Sequence, residues 1–146
     1  MAKNLSTENL IHLAEDSGIS VEWHVGNPKG KWIPARGSIS LRHDLTEVQA
    51  RCTLAHELGH AHCGHPAGHN SRDEKEADRY AARLLISAAE YALAEQTYGP
   101  HPARIAAELG ITQHLLIVWR DMWKKKFHTS STICSAIASK EQSNSD

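Results

Sequence analysis

Hydrophobic and polar residues recur with two different periods along this chain, and the periods predict where helices and strands lie. Residues 7–17 carry apolar side chains at helical spacing, whereas residues 19–25 alternate apolar and polar side chains, which is typical of a strand. Two short runs, 31–34 and 38–41, are also typical of strands because residues with turn-forming chemistry separate them from their neighbours. We therefore predict one helix followed by a small, three-stranded, mainly antiparallel sheet.

The rest of the chain has mostly helical periodicity. The main helix is predicted over residues 46–63, because Thr46 and Gln49 have the spacing of a capping box and Gly64 is suited to end a helix. Further helices are predicted over residues 73–86, 87–97, 102–109 and 112–126. The predicted fold class is α+β, with the sheet packed on the main helix and the helix after it.

Length and composition fit one small domain with an appendage. The chain has 146 residues, enough for a single hydrophobic core. We assign residues 1–98 to the main domain and 99–127 to a helical extension that resembles a helix-turn-helix. Residues 128–146 are rich in Ser and have little periodicity, so we predict a disordered tail.

Charge and cysteine content limit the classes of partner and compartment. The formal net charge is −1, so overall electrostatics predict neither nucleic acid nor membrane binding. No apolar run approaches the roughly 18 residues that cross a bilayer, and the N-terminus lacks the apolar segment of a signal peptide. Three cysteines, an odd number, favour reduced thiols and a cytoplasmic protein.

The main predicted helix contains a HExxH motif, formed by His56, Glu57 and His60 with Leu58 and Gly59 between them. Residues four apart lie about 40° apart around a helix and roughly 6 Å apart along it, so both imidazoles project from one face. Zinc accepts two nitrogens in that arrangement. Glu57 follows His56 directly, so its carboxylate can act as general base on a water at the metal.

Zinc in hydrolases usually takes three protein ligands and leaves a position for water. The metzincin pattern HExxHxxGxxH would need Gly at position 63 and His at position 66. The chain has Cys63 and Pro66 there, with Gly64 and His65 each one residue out of register. Cys63 lies seven residues after His56 and could face a metal, but we interpret it as a small packing residue.

The favoured third ligand is Glu74, in the next predicted helix. Asp78, one turn later, would accept the other N–H of His56 or His60 and fix its tautomer. Glu76 competes with Glu74, but it points about 200° away around the helix, so both cannot face one metal. Glu76 and a His or Cys of the intervening loop remain alternatives.

The pattern of residues 51–60, then Gly64-His65, then residues 74–86 resembles the ImmA/IrrE metallopeptidase family, over roughly residues 19–120. The resemblance implies a zincin-like fold and a gluzincin-like endopeptidase with one Zn²⁺ per chain, held by His56, His60 and Glu74, with Glu57 as base. It also implies a protein substrate, since known members cleave helix-turn-helix repressors of phages or mobile elements. The family commonly has Asn where this chain has Asp78. A further oxyanion donor or substrate contact is assigned to His65 as a hypothesis.

Two other functions remain open. Residues 102–119 have a helix-turn-helix cadence with Gln113 and His114 near the start of the second helix, which is compatible with DNA binding. That helix is strongly apolar over residues 115–118 and lacks Arg near its N-terminus, so packing or substrate docking is favoured over nucleic acid. The second alternative is a zinc-binding regulator that keeps the site without turnover.

Overall fold

The computed structural model describes residues 5–126, so the tail predicted over residues 128–146 lies outside the described residues. The helices are α1 (Thr7–Asp16), α2 (Glu47–His62), α3 (Ser71–Leu85), α4 (Ala88–Tyr98), α5 (Pro102–Leu109) and α6 (113–126). The strands are β1 (Ser20–His24), β2 (Gly30–Ile33) and β3 (Ser38–Arg42). The α+β class is thus confirmed. Within this part of the chain, none of the helices has both the length and the apolar character that crossing a membrane requires.

The sheet is mixed, which corrects the expectation of a mainly antiparallel sheet. The strand order is β1-β3-β2, with β3 parallel to β1 and antiparallel to β2. A short 3-10 turn, Pro34–Arg36, reverses the chain beside β2 and places β3 between the two earlier strands. Two successive reversals leave β3 running in the direction of β1, so their pairing is parallel. The alternation of side chains predicts strands, but it does not specify which strands are neighbours.

Local capping chemistry sets the ends of the two helices that matter most. The predicted capping box of α2 is confirmed, because Thr46 accepts from the Gln49 amide and the Gln49 side chain accepts from the Thr46 amide. Helix α3 begins at Ser71, two residues earlier than predicted. The Asn70 side chain accepts from the amides of Arg72 and Asp73, which makes Asn70 the N-cap.

One hydrophobic core joins the sheet to helices from both ends of the described chain. Fully or nearly fully buried side chains come from α1, β3, α2, α3, α5 and α6, including Leu10, Ile39, Leu41, Leu54, Leu85, Ile105 and Leu116. Central strand β3 is buried over its first four residues, whereas β2 forms an edge of the sheet. The domain boundary predicted between residues 98 and 99 stays a prediction.

A buried arginine connects α2 to the start of the described chain and to the turn between α5 and α6. Arg51 is 4% exposed. Its Nη1 donates to the carbonyls of Leu109 and Gly110, at 3.0 and 2.6 Å. Its Nε donates to the carbonyl of Leu5. Three backbone acceptors that water reaches poorly are thus satisfied by one side chain, which fixes the α5–α6 turn against α2.

Replacing Arg51 with Met is therefore expected to lower the free energy of unfolding by about 3 kcal/mol, because buried carbonyls would lose their donor. Urea unfolding followed by circular dichroism measures the change. The matched control is Arg36→Met, since Arg36 pairs with Glu22 at 2.9 Å with its side chain 59% exposed. An exposed pair of this kind contributes about 1 kcal/mol or less. Equal losses in the two variants would contradict the role of Arg51.

Candidate metal centre

Helices α2 and α3 bring three of the sequence-predicted site residues together. His56 Nε2 lies 3.0 Å from Glu74 Oε2, and His60 Nε2 lies 3.1 Å from Glu74 Oε1. The two Nε2 atoms are themselves 3.1 Å apart. The two imidazole nitrogens and the Glu74 carboxylate therefore form a compact triangle between the helices, with one carboxylate oxygen directed at each ring.

The donor set fits a tetrahedral zinc ion. Two imidazole nitrogens and one carboxylate oxygen are donors that zinc takes in hydrolases, and bonds of about 2.0–2.1 Å place neighbouring donors about 3.3 Å apart. The observed distances of 3.0–3.1 Å differ from that spacing by a few tenths of an ångström. Small side-chain rotations would therefore suffice to hold a metal.

The close approach of α2 and α3 depends on Gly59. A Cβ added there would lie 2.9 Å from both the Cα and the carbonyl oxygen of Ala77, and 3.1 Å from Cβ of Tyr80. Backbone atoms cannot rotate out of the way as the end of a long side chain can. Gly59 thus lets the helix that carries Glu74 lie against the helix that carries the histidines.

A Gly59→Ala variant is expected to lose stability and to bind the metal more weakly. Alanine would favour the helix by about 1 kcal/mol, but overpacking against a backbone costs about 1–3 kcal/mol and pushes α3 outward. Chemical denaturation and zinc titration against a chromophoric chelator measure the two effects. A variant that is both more stable and unchanged in metal affinity would show that the contact between the helices tolerates a methyl group.

Asp78 supports His56 from the side opposite the donor triangle. Its Oδ1 accepts a hydrogen bond from His56 Nδ1 at 2.8 Å, which leaves His56 Nε2 directed at Glu74. Burial opposes charge on His56, but Asp78, Glu57 and Glu74 together outweigh it and raise the pKa of His56. Burial likewise opposes charge on Asp78, yet its contacts with His56 and His114 lower the pKa of Asp78.

His114 is a neighbour of the site that the sequence reading did not place there. Its Nε2 lies 2.8 Å from Asp78 Oδ2, so α6 reaches the carboxylate that holds His56. In the sequence, His114 stands out only as the polar start of an apolar helix. No local pattern could link it to Asp78, because the contact depends on how α6 packs beside α3.

Glu57 lies on α2, and its side chain lies between this helix and the edge strand β2. Glu57 is only 8% exposed, and the backbone of Trp32 favours the charged form of its carboxylate. Burial raises the pKa of Glu57, with His56 lowering it and Glu74 raising it further. The strand approaches closely because β2 begins at Gly30, where an added Cβ would lie 2.4 Å from Thr53 Cγ2.

A cleft of about 510 Å³ opens beside these groups. Glu57, His60 and Glu74 contribute to one wall, and residues of β2 and of the loop after α2 line the others: Gly30, Lys31, Trp32, Pro66, Ala67, Gly68 and His69. His69, a possible loop ligand, is 87% exposed with Nδ1 3.5 Å from Glu74 Oε1. The cleft is large enough for several residues of a peptide.

His65 and Glu76 belong to a different group of side chains. His65 Nδ1 lies 2.9 Å from His60 Nδ1, and the residue is only 8% exposed and is not among those that line the cleft. Glu76 lies with Cys63 and His65 instead of facing the His56–His60 pair. This placement does not favour the predicted substrate contact of His65, because the ring is engaged behind His60.

Comparisons with known proteins give the family and the fold of this chain. The family model Peptidase_M78, described as the IrrE N-terminal-like domain, matches residues 13–116. A solved structure described as a Mycobacterium tuberculosis transcriptional regulator shares the fold with a TM-score of 0.59 and 18% sequence identity. The alignment covers 81% of this chain but 41% of that one, so this chain spans less than half of that protein's length. No curated protein sequence is significantly similar.

Proposed function

The chain belongs to the IrrE N-terminal-like peptidase family, and on that premise we propose that it is a zinc-dependent endopeptidase acting on a protein substrate. His56, His60 and Glu74 would hold one zinc ion, and Glu57 would act as general base. The observation that carries the proposal is the convergence of two imidazole nitrogens and one carboxylate, with N–N and N–O distances of 3.0–3.1 Å, beside an open cleft. The packing of α2 on α3 under the sheet supports a zincin-like architecture.

A zinc ion at this position supplies Lewis acidity to a water molecule and to a substrate carbonyl. Glu57 accepts the proton of the attacking water at its carboxylate and passes it to the nitrogen of the leaving amine. Burial raises the pKa of Glu57, which suits a group that both accepts and returns a proton near neutral pH. The backbone of Trp32 lies near the Glu57 carboxylate and favours its charged form.

Asp78 acts as a positioning residue in this proposal. Its hydrogen bond with His56 Nδ1 fixes the tautomer in which Nε2 is free to bind a metal. The remaining carboxylate oxygen of Asp78 contacts His114 at 2.8 Å, which restrains the carboxylate from a second direction.

The edge strand β2 is the proposed platform for the substrate backbone. It pairs with β3 on one side only, and Gly30, Lys31 and Trp32 line the cleft beside Glu57. An extended peptide can add to such an edge through main-chain hydrogen bonds. The scissile carbonyl would then lie between the strand and the donor triangle.

The proposed substrate is a helix-turn-helix repressor of a phage or mobile element. The test incubates the zinc-loaded chain with repressors encoded beside it, with chelator and with zinc added back, and maps new termini by mass spectrometry. We expect cleavage that stops with chelator and returns with zinc. Cleavage that persists in saturating chelator would remove zinc from the mechanism. Intact repressors together with stoichiometric zinc would favour a zinc-binding regulator without turnover.

DNA binding through α5 and α6 is the alternative, and the packing of α6 argues against it. Leu115, Leu116 and Trp119 are buried in the core, and His114 contacts Asp78. The helix that would enter a DNA groove is therefore held against α3. Titration with duplex DNA at several salt concentrations distinguishes the two functions, since DNA binding through phosphate contacts would weaken steeply as salt rises.

A further inference from the structure

A second group of side chains with metal-ligating atoms lies on the Nδ1 side of His60. Cys63 at the end of α2, His65 in the following loop and Glu76 on α3 each place a donor atom within 4.8 Å of the other two. His65 Nε2 is 3.6 Å from Glu76 Oε2 and 3.5 Å from Asp73 Oδ1. Both distances exceed the 2.7–3.2 Å of an ordinary N–H···O hydrogen bond.

We propose that Cys63, His65 and Glu76 form a second metal site that takes zinc or a similar thiol-preferring divalent cation. A thiolate, an imidazole and a carboxylate together match zinc and exclude the hard cations, which prefer oxygen ligands alone. Asp73 lies close enough to His65 to add a fourth donor. The cluster differs from a solvated acidic surface because its imidazole is buried and has a thiol and two carboxylates around it.

The three side chains of the second site are positioned by backbone and packing contacts that need no metal ion. The Trp32 indole N–H donates to the His65 carbonyl at 3.1 Å, which anchors the loop to β2. Cys63 is the C-cap of α2, and its amide donates to the carbonyl of Gly59. Glu76 is carried by α3, which Gly59 brings close to α2. Two helices and an anchored loop thus supply the three ligands.

Metal binding at this site would convert the Cys63 thiol into a thiolate. Burial, with a hydrogen bond from the thiol to Glu76, raises the pKa of Cys63 to about 11. The free chain therefore carries a protonated thiol at neutral pH. As the metal–sulfur bond forms, the S–H bond breaks and the proton passes to solvent, so no oxidant or reductant is needed.

The two sites oppose one another through the contact between His60 and His65, an inference that rests on the proposed role of His60. A neutral histidine that binds a metal through Nε2 carries its remaining proton on Nδ1. The Nδ1 atoms of His60 and His65 are 2.9 Å apart, so one must accept from the other. With both Nε2 atoms on metals, two N–H groups would face each other. Filling either site therefore weakens the other, by an equal factor in both directions.

Cobalt titration tests the second site without reference to peptidase activity. In the wild-type chain, the first equivalent of Co²⁺ is expected to give ligand-field bands alone. The second equivalent adds near-ultraviolet sulfur-to-cobalt charge transfer. The variant Cys63→Ala should lack that absorption, and Cys52→Ala, which removes a thiol from the core, should keep it. Charge transfer that survives in Cys63→Ala, or that never develops in the wild type, overturns the site.

The opposition between the sites is tested with Glu74→Ala, which removes a ligand of the first site only. The charge-transfer band of that variant should reach its midpoint at about ten-fold lower free Co²⁺ than in the wild type, a factor typical of outer contacts to a metal ligand. Equal midpoints would overturn the coupling. A first equivalent that still gives ligand-field bands without charge transfer in Glu74→Ala would instead refute the proposed first site, so the two failures are distinguishable.

Discussion

A Glu57→Gln variant is expected to keep its zinc and to lose peptidase turnover by about 10²–10⁴-fold, the contribution of a positioned acid–base group. The amide has nearly the shape of the carboxylate, so the contact with the Trp32 backbone and the packing against β2 can persist. It cannot accept a proton from water at neutral pH. The rate of repressor cleavage measures the loss of turnover, and the metal content after gel filtration measures whether zinc is kept.

The matched control for this variant is Glu8→Gln. Glu8 lies on α1 with its side chain 85% exposed, and its carboxylate lies 4.0 Å from the exposed ring of His12. The same chemical change there should leave turnover and zinc content unaltered. If Glu57→Gln cleaved the substrate at the wild-type rate, another group would have to accept the proton. If it lost zinc, Glu57 would belong among the metal-binding residues.

The second large effect is expected from removing one of two carboxylates on the same helix. Glu74→Ala should lower the zinc affinity of the first site by more than about 100-fold. Loss of a group that only contacts a metal ligand costs up to that factor, and Glu74 is itself a proposed ligand. The Glu74 carboxylate contacts both His56 and His60 at 3.0–3.1 Å, so its removal leaves two ligands. Zinc titration against a chromophoric chelator measures the affinity, with Cys63→Ala present in both proteins so that the proposed second site does not contribute.

Glu76→Ala is the internal control, because it removes the same group two residues along α3. Its carboxylate lies near His65 and Cys63, away from the triangle of donors. Binding of the first equivalent should be unchanged in this variant, whereas the second equivalent should be weakened. The reverse result, with the first Co²⁺ equivalent that shows no charge transfer lost in Glu76→Ala and kept in Glu74→Ala, would exchange the assignments of the two residues.

The C-terminal helices support the candidate site as well as the core. Arg51 secures the α5–α6 turn against α2, five residues before His56 in the same helix. At the start of α6, His114 reaches the carboxylate that orients His56. Truncation before α5 would remove both contacts, so the extension contributes to the geometry of the site.

Local chemistry is what the sequence could specify. The HExxH spacing places two imidazoles on one helical face whatever the rest of the chain does, because the rise and turn of a helix are fixed. The Thr46–Gln49 capping box likewise determines where α2 begins, since its hydrogen bonds span three residues. Period-two alternation predicts β1, and the turn-forming residues around β2 and β3 predict those two strands, because both signals lie within a few residues.

How the helices and strands lie against one another could be determined only from the tertiary structure. The central position of β3, and so its parallel pairing with β1, depends on which edge the chain returns to. The spacing of Glu74 and Glu76 shows that only one can face the histidines, but the rotation of α3 about its axis selects Glu74. That rotation is set by packing of Ala77 against Gly59. His65 contacts His60, and His114 contacts Asp78. The residues next to them in the sequence do not predict either contact, because side-chain contacts between separate elements are fixed by packing.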